Sequence, residues 1–564
     1  MGSGQSLFWG KHKFYFILIF IGFLVYFNSL FGGFVWDDVA QIASSPFAHS
    51  LSSISTIFTI GQADVFYRPL FLSYLTLVNT LFHGNIFFFH IFQVMMHIAN
   101  AILVFWVLKR FFKEIIAFVI SLIFLTHPMN VEAVSYMSAV SDVLVFLFGI
   151  IALSILIKTQ VIYHFITAGF LILLALLTKE SGILWLFIAL VYLFLFKKIK
   201  QWGTLFFISI SIGIYVFMRV SVAHIAITLS NVNNASIAQL SFLERLISMP
   251  KIIFFYIHTF VFPVKLAISQ HWVVKSLTIP DFFLPLFFDV LFMALLFAGG
   301  LYIHRYHKKE LGKYFFFFIW FILGLALYLQ VIPLDMTVAE RWFYIPMVGM
   351  LGMVGVILQT VKIKPAIQIV GLFIAIVIII CFSLRTIVRN TNWINAITLY
   401  SHDVQFNKDS FDLENQLAGE LSLAGRYDEA LIHAQRAIKL EPRDVRNWVT
   451  IGTIYMRQKE VKKGLVYLRK ALDYDGGNYN AFYNLSYGYL LLDDPQSAKS
   501  YAEWGMKTYS SDANLLLFKA IAEYKLGDEQ RALKDAEAAN NMLRTQTSNY
   551  IYTQIMNKQP INVE

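Results

Sequence analysis

Long runs of apolar residues alternate with short polar stretches from the N-terminus to about residue 385. A run of roughly 15 to 22 apolar residues is long enough to cross a bilayer as a helix. In the bilayer core, a single segment can hydrogen-bond all its backbone N–H and C=O groups only as a helix. We predict eleven such spans, near residues 13–31, 87–108, 114–126, 142–157, 161–178, 181–196, 202–220, 283–303, 314–332, 342–360 and 366–384.

Residues 251–262 are also apolar, but the run is short and is followed by Pro263. Counting it as a crossing would move the basic cluster between His304 and Lys313 to the outer side, against the positive-inside rule. We therefore predict an interfacial or re-entrant helix for this segment.

The pattern changes after residue 410, where the chain becomes polar and repeats every 34 residues. Phe411, Val445, Tyr479 and Ala513 take equivalent first positions, and small residues recur where two helices must touch. The turn Gly425-Arg-Tyr-Asp-Glu-Ala resembles that of tetratricopeptide repeats. The predicted fold is all-α: a transmembrane helical bundle over 1–385, a linker over 386–410, an α-solenoid of four repeats over 411–545, and a tail over 546–564.

The charge pattern predicts the orientation of the bundle. The chain has a net charge of +10, but its basic residues cluster at span ends, which is typical of cytoplasmic anchoring and does not predict a nucleic-acid surface. Lys11 and Lys13 precede the first span, so residues just after that span should face the outer or lumenal side, and eleven spans put the repeats there too. Cys381 is the only cysteine, which excludes an intrachain disulfide and a thiolate metal site.

Two adjacent carboxylates, Asp37 and Asp38, follow the first span directly. Like charges on neighbouring residues repel, and nearby hydrocarbon adds a desolvation cost, so such a pair needs a cationic partner or a raised pKa. The pair suits either a general base or a ligand for a divalent cation. We take Asp38 as the first candidate for the base, with Asp37 as the alternative.

Four further polar patches fall on outer-side turns of this topology. They are Tyr67-Arg68-Pro69, the stretch from His127 through Glu132 to Asp142, the pair Lys179-Glu180, and Glu340-Arg341 with Tyr344. The guanidinium group of an arginine matches phosphate oxygens with two hydrogen bonds, so Arg341 is the first candidate for a lipid-phosphate contact. For Lys179-Glu180, a neutralising pair within the turn and a functional role remain equal alternatives.

A polar stripe marks the second span. His90, Gln93, His97 and Asn100 are spaced so that all four lie on one face of a helix. Hydrogen bonds between helices are the favoured interpretation, with catalysis as the alternative. The sequence has no Gly-rich nucleotide loop, P-loop or nucleophile elbow, so an enzyme of this design requires an activated donor that is already in the membrane.

The ordered set of motifs resembles the transmembrane and tetratricopeptide-repeat O-mannosyltransferases, within the polytopic GT-C glycosyltransferases, and a bacterial relative is the predicted source. The motifs are Trp36-Asp37-Asp38, Tyr67-Arg68-Pro69, His127-Pro128 with Glu132 and Asp142, Lys179-Glu180-Ser181-Gly182, Glu340-Arg341 with Tyr344-Ile-Pro346, and the repeats. One departure is Ala139-Val140-Ser141 before Asp142, where the family pattern tends to have a basic residue.

The resemblance implies transfer of a sugar, typically mannose, from a polyprenyl-phosphate carrier to a hydroxyl of a protein or glycan on the noncytoplasmic face, with inversion at the anomeric carbon. Asp37 and Asp38 are then the catalytic residues, and a divalent metal held by them is left open. The residues expected to bind the donor are Arg341, Glu340, Lys179, Arg68 and Tyr344. Those expected at the acceptor or in the second loop are Glu132, His127 and Asp142.

Two alternatives to this function remain. A ligase or polymerase that moves whole lipid-linked glycans would use the same donor chemistry, and a non-catalytic scaffold or transporter would not. The repeats are expected to bind the acceptor or a partner protein, because stacked repeats form an extended concave binding surface. The chain fits a bacterial inner membrane with the repeats outside the cytoplasm, or an endoplasmic reticulum membrane with the repeats in the lumen.

Overall fold

A computed structural model describes residues 2–61, 66–158, 161–196, 202–225, 237–361 and 364–563 of the chain. The described residues are helices and loops, and their one extended pairing is a single bridge between Gln270 and Val338. Two compact units divide the chain, residues 1–407 and residues 408–564. This confirms an all-α fold with a membrane bundle and a helical repeat domain.

The first unit contains sixteen α-helices within its described residues. In chain order they are α1 (Gly2–Tyr26), α2 (Ser53–Ile57), α3 (Pro69–Leu81), α4 (Ile86–Leu108), α5 (Glu114–Thr126), α6 (Val131–Ser135), α7 (Val140–Lys158), α8 (Ile162–Thr178), α9 (Ile183–Phe196), α10 (Trp202–Phe217), α11 (Phe242–Val261), α12 (Leu284–Tyr306), α13 (Leu311–Ala326), α14 (Tyr344–Thr360), α15 (Pro365–Asn392) and α16 (Ala396–Phe406).

All eleven predicted spans coincide with helices, but their lengths differ. Seven of these helical segments are long and apolar enough to cross a membrane: His12–Phe31, Ile86–Leu108, Met137–Lys158, Leu205–Val222, Ile279–Tyr306, Glu340–Thr360 and Pro365–Asn392. An eighth candidate is a pair of helices, Glu114–Thr126 and Pro128–Ser135, bent by 50° at His127. The chain is therefore a multi-pass membrane protein. The predicted spans over 161–178, 181–196 and 314–332 are shorter helices, and their crossing remains a prediction.

Two elements differ from the predicted pattern. The segment predicted as a short interfacial helix is the second half of α11, which begins at Phe242 with a capping box between Ser241 and Glu244. Reciprocal capping satisfies backbone N–H groups and extends the helix beyond its apolar part. The helix α3 was not predicted as an element, because its apolar run follows Arg68-Pro69 and is too short for a span.

Small residues allow close packing in the bundle. A Cβ atom on Gly149 would lie 1.9 Å from the indole of Trp185, and one on Gly349 would lie 2.5 Å from the backbone nitrogen of Phe321. These glycines let α7 and α14 approach α9 and α13 closely, which is how helices gain packing energy where the hydrophobic effect is weak. The glycines thus hold together the helices that carry the candidate site.

The polar stripe on α4 makes hydrogen bonds between helices, as predicted. Gln93 donates to the backbone oxygens of Ala133 and Tyr136, at 2.6 and 2.8 Å. The Tyr344 hydroxyl lies 2.6 Å from Nδ1 of His97 and 3.1 Å from the Asn100 amide nitrogen. These bonds fix α4 against the Glu132 and Arg341 regions of the chain.

The segment 386–410, predicted as a linker, is largely helical. Helix α15 continues to Asn392, and α16 follows within the first unit. The reason is a fully buried ion pair, in which the Arg389 guanidinium donates to both carboxylate oxygens of Asp403, at 2.6 and 3.0 Å. Although burial alone would raise it, the pairing with Arg389 lowers the pKa of Asp403 below its usual value.

Replacing Arg389 by Met is expected to lower the free energy of unfolding by about 3–5 kcal/mol, because it leaves Asp403 buried without its cation. Thermal unfolding in detergent measures the change. Val388→Met is the matched control, since Val388 is on the same helix turn with 56% of its surface exposed. Equal melting temperatures of the two variants would contradict the prediction.

The second unit confirms the repeat period. Its helices are α17 (Phe411–Leu423), α18 (Tyr427–Leu440), α19 (Val445–Arg457), α20 (Val461–Tyr474), α21 (Tyr479–Leu491), α22 (Pro495–Thr508), α23 (Ala513–Lys525), α24 (Glu529–Leu543) and α25 (Gln546–Met556). The first helix of each repeat is capped by a polar side chain at the same position, Ser410, Asp444, Asn478 or Asp512. The predicted tail contains α25, which packs on α24.

Candidate active site

Asp38 is held inside the loop that follows α1. Its side chain is fully buried, and its carboxylate accepts hydrogen bonds from the Val35 backbone at 3.1 Å and from the Ser138 backbone and hydroxyl at 2.8 and 2.6 Å. Burial raises the pKa of Asp38 to about 7, although these hydrogen bonds favour its ionised form. Asp38 therefore ties the loop after α1 to the loop before α7.

Asp37, in contrast, is exposed. Its backbone begins a turn in which the Gln41 N–H donates to the Asp37 carbonyl at 2.8 Å. The side chain lies near the buried Tyr136. Burial raises the pKa of the Tyr136 hydroxyl well above its usual value, and the negative charges of Asp37 and Asp38 raise it further. Of the two carboxylates, Asp37 is the one that a substrate can reach.

Three aromatic rings form a stack beside Asp37. Trp36 packs on Tyr136 with ring centroids 5.6 Å apart, and Tyr136 packs on Trp393 at 5.8 Å. The guanidinium carbon of Arg341 lies 5.9 Å from the ring centroids of both Trp36 and Tyr136. Trp36 has a φ of 53°, a left-handed conformation that is strained for a bulky residue and is maintained only where surrounding contacts enforce it.

Arg341 is positioned by two acidic side chains. Glu132 accepts from its backbone N–H at 3.0 Å and forms an ion pair with its guanidinium, and Asp142 lies 3.7 Å from its Nε. Asp142 also binds Lys179, with the ammonium 2.6 Å from one carboxylate oxygen. Burial lowers the pKa of Lys179, although Asp142 favours its charged form. Of the two alternatives for Lys179-Glu180, the neutralising pair within the turn does not form between these two described residues, since Lys179 binds Asp142 and Glu180 binds Arg68.

A second group of charges is centred on Glu180. This carboxylate accepts from Arg68 at 2.8 Å and lies 3.4 Å from Nη1 of Arg219. The two groups meet in one cavity of about 150 Å³, which also has Tyr328, Asp335 and Trp342 in its wall. Four cationic side chains line this cavity: Arg68, Lys179, Arg219 and Arg341. Several fixed donors around one small volume are the arrangement that binds a phosphate group.

Seven of the ten predicted site residues lie outside the cavity lining. The positions of four of them are given above: Asp37, Asp38, Glu132 and Asp142. The other three are buried elsewhere. Glu340 is buried and accepts a hydrogen bond from the Ala267 backbone at 2.7 Å, while Tyr344 is buried against His97 and Asn100. His127 is buried at the bend between α5 and α6, where its ring stacks on Phe260 at 5.0 Å. These contacts fit positioning roles, because they fix the segments on either side of Arg341 and Glu132.

Arg219 was not among the predicted site residues. It follows α10 in one turn of π-helix, and its side chain is also 3.2 Å from the Tyr215 hydroxyl. The signal was present in the charge pattern. Arg219 lies at the predicted outer end of the span over 202–220, where the positive-inside rule disfavours an arginine, so an unusual cation there indicates a functional role.

The described carboxylates do not fit a divalent metal at Asp37 and Asp38. Both oxygens of Asp38 accept hydrogen bonds from N–H or O–H groups, which a cation would have to displace. Within the ranges that the structure covers, no three His, Cys, Asp or Glu side chains converge as metal ligands would.

The chain is similar in sequence to protein O-mannosyl-transferases of several animals. No family model matches the chain. It is 22% identical over 486 residues to the protein O-mannosyl-transferase TMTC3 of Homo sapiens, covering 78% of this chain and 52% of that protein. It is 23% identical over 456 residues to the protein O-mannosyl-transferase F38B6.6 of Caenorhabditis elegans, covering 76% and 62%. The chain spans about half the length of the curated relatives it matches.

Among the solved structures that are similar to part of the chain is the crystal structure of YrrB, a TPR protein with an unusual peptide-binding site. It has 18% sequence identity and a TM-score of 0.26, covering 29% of this chain and 84% of that one. The similarity to TMTC3 confirms the predicted resemblance to the tetratricopeptide-repeat O-mannosyltransferases. A bacterial source stays a prediction.

Proposed function

We propose that this protein is an integral-membrane glycosyltransferase that moves a sugar, with mannose as the first candidate, from a polyprenyl-phosphate carrier to a hydroxyl group. One observation supports this above the others: Arg341 lies both in the wall of the four-cation cavity and against the rings of Trp36 and Tyr136. A phosphate in the cavity would thus have its sugar near the exposed Asp37. The relatives named as protein O-mannosyl-transferases favour the same activity.

The reaction is a displacement at the anomeric carbon. Asp37 accepts the proton of the acceptor hydroxyl as its oxygen forms the new glycosidic bond. The bond from the anomeric carbon to the phosphate oxygen breaks, and its electron pair leaves with the lipid phosphate. Arg341 and Lys179 stabilise that charge, and a single displacement inverts the configuration. Because Asp37 is exposed and Asp38 is buried, we propose Asp37 as the base in place of Asp38, which was the first candidate. We assign Asp38 to fixing the loop that follows α1.

The cavity offers preorganised cationic donors to an anion, although the surrounding carboxylates balance their charge. Beside its four cations, the wall contains two carboxylates, Glu180 and Asp335. Outside the wall, Glu132 forms an ion pair with Arg341, and Asp142 forms one with Lys179. Buried cations that are already paired do not have to be desolvated when the donor binds. They act as preorganised donors, which are worth more at a site with little water than in bulk solvent.

Arg219→Gln is expected to raise the KM for the lipid-phosphate donor by about tenfold, the effect of losing one charge-assisted hydrogen bond. The fold should persist because Glu180 retains Arg68. Initial rates at varied donor concentration measure the change. Arg245→Gln is the control, since Arg245 binds the backbone oxygens of Gln330 and Leu240 outside the cavity wall. A donor KM that is the same in both variants would remove Arg219 from the site.

The acceptor is proposed to be a protein or glycan hydroxyl on the noncytoplasmic face, with the repeats on that same side and engaged with the acceptor or its carrier. The predicted eleven-span topology supports this orientation. The C-terminal end of α15 supports it as well, because it lies beside the loop that carries Asp37. There the Ser135 hydroxyl donates to the Asn390 side-chain oxygen at 3.0 Å, and the Gly33 N–H donates to the Ile394 carbonyl at 2.8 Å. The membrane is proposed to be a bacterial inner membrane or that of the endoplasmic reticulum.

The choice of donor distinguishes the proposal from its main rival. Purified protein in detergent is incubated with an acceptor protein and either polyprenyl-phosphate-mannose or a lipid-linked oligosaccharide. Transfer of a single hexose from the first donor, detected by intact-protein mass spectrometry, is expected. Transfer only from the second donor would indicate a glycan ligase, and no transfer from either would favour a scaffold.

A further inference from the structure

The segment after α25 folds back onto the repeats. Lys558 turns the chain with a φ of 56°, and the Gln559 N–H donates to the Gln554 carbonyl at 2.9 Å. From there the chain is extended, so alternate side chains point to opposite faces. Ile561 and Val563 pack against the apolar core of the repeats, while Pro560 and Asn562 are exposed.

This segment lies along a groove on the first helices of the third and fourth repeats. The groove encloses about 680 Å³, and its wall includes Tyr487 of α21, Phe518 of α23 and Tyr550 of α25, together with Val563 itself. The Tyr487 hydroxyl donates to the Val563 carbonyl at 3.5 Å. The segment 559–563 thus contacts the groove with alternate side chains and a backbone carbonyl, which is the contact pattern of a bound extended peptide.

The wall of the groove is formed by uncharged residues. Its described residues are aromatic and aliphatic side chains with amides and hydroxyls, such as Asn514 and Thr547, and none of them carries a charge. Apolar side chains would be buried between the aromatic rings, and amide groups would satisfy backbone N–H and C=O groups of a ligand. A charged ligand side chain would lose its hydration without gaining a partner.

We propose that the groove binds an uncharged, extended acceptor segment with apolar side chains at two alternate positions, and that residues 559–563 occupy it as an internal competitor. The inference rests on the proposed function, since it names the polypeptide class that the repeats present for glycosylation. Binding of an acceptor then requires displacement of Ile561 and Val563. The free volume that remains beside Asn562 allows a ligand to begin binding before the segment leaves.

The test measures binding without enzymatic activity. A fluorescent synthetic peptide with the sequence of residues 559–563, capped so that neither end is charged, is titrated into the full-length protein, and its anisotropy gives the Kd. The double variant Ile561→Asp/Val563→Asp is expected to bind this peptide at least about tenfold more tightly than the unmodified protein, because two apolar contacts of the competitor are removed. Adding Tyr550→Glu, which places a charge in the groove, should abolish that gain.

Val466→Asp is the matched control, since Val466 lies on α20, outside the groove wall, with 49% of its surface exposed. Hydrogen exchange on the unmodified protein provides a second measurement that needs no variant. An excess of the peptide should increase exchange of the Gln559 N–H, which donates to the Gln554 carbonyl while the segment is docked, and leave α23 protected. Equal affinity of the double variant and the Val466 control, or unchanged exchange, would overturn the proposal. Both readouts stay valid if the protein transfers no mannose.

Discussion

Asp37→Asn is expected to lower the rate of sugar transfer by about 10²- to 10⁴-fold, the usual effect of removing a general base. The amide keeps the size of the side chain but cannot accept the proton of the acceptor hydroxyl. Because Asp37 is exposed, the substitution should leave both the fold and donor binding intact. A single-turnover assay with polyprenyl-phosphate-mannose, at saturating donor and acceptor, measures the chemical step directly.

Asp38→Asn separates this role from a structural one. One carboxylate oxygen of Asp38 faces two donors on Ser138 and the other faces the Val35 N–H, so the amide NH₂ group must oppose a donor. We expect a loss of about 1–3 kcal/mol in the free energy of unfolding, as for a buried donor left unpaired. If Asp38→Asn eliminated turnover while Asp37→Asn retained it, the two assignments would have to be exchanged.

Most of the polar segments that line the cavity were identifiable from the sequence, because each lies at the end of an apolar run. In the structure Arg68, Lys179 and Arg341 line one cavity, and Arg341 also contacts Trp36. The repeats were predictable to the residue, since their period sets both the helix starts and the capping positions at Asp444 and its equivalents. Helix starts and caps depend on residues that are close together in the sequence, so they can be predicted from it.

The pairing of charges was not predictable, because it depends on distances between helices. Lys179 adjoins Glu180 in the chain, yet it binds Asp142 on α7, while Glu180 binds Arg68. An extended backbone at Lys179, with φ of −163°, directs the two neighbouring side chains apart. Likewise, the Arg389–Asp403 pair converts an apparent linker into two helices, since a buried cation is stable only where the fold supplies its anion.

Arg341→Lys is expected to lower kcat by about 10²-fold, the effect of losing one preorganised donor to the developing charge. Lysine keeps the positive charge that Glu132 and Asp142 require, so the protein should fold. It loses the planar fork that can bind Glu132 and a phosphate oxygen at the same time. Steady-state assays should show the loss mainly in kcat, because the leaving phosphate gains charge only in the transition state.

Inhibition by the product provides the decisive comparison. Polyprenyl phosphate carries more charge on its phosphate than the donor does, so Arg341→Lys should weaken its inhibition more than it weakens donor binding. Arg385→Lys is the matched control, since Arg385 donates to the backbone oxygens of Pro263 and Val264. Arg341→Met should instead lose about 3–5 kcal/mol of stability by leaving Glu132 without its cation. If Arg341→Lys matched the control in both kcat and product inhibition, Arg341 would serve only to neutralise Glu132 and Asp142, and the phosphate contact would belong to the remaining cations of the cavity.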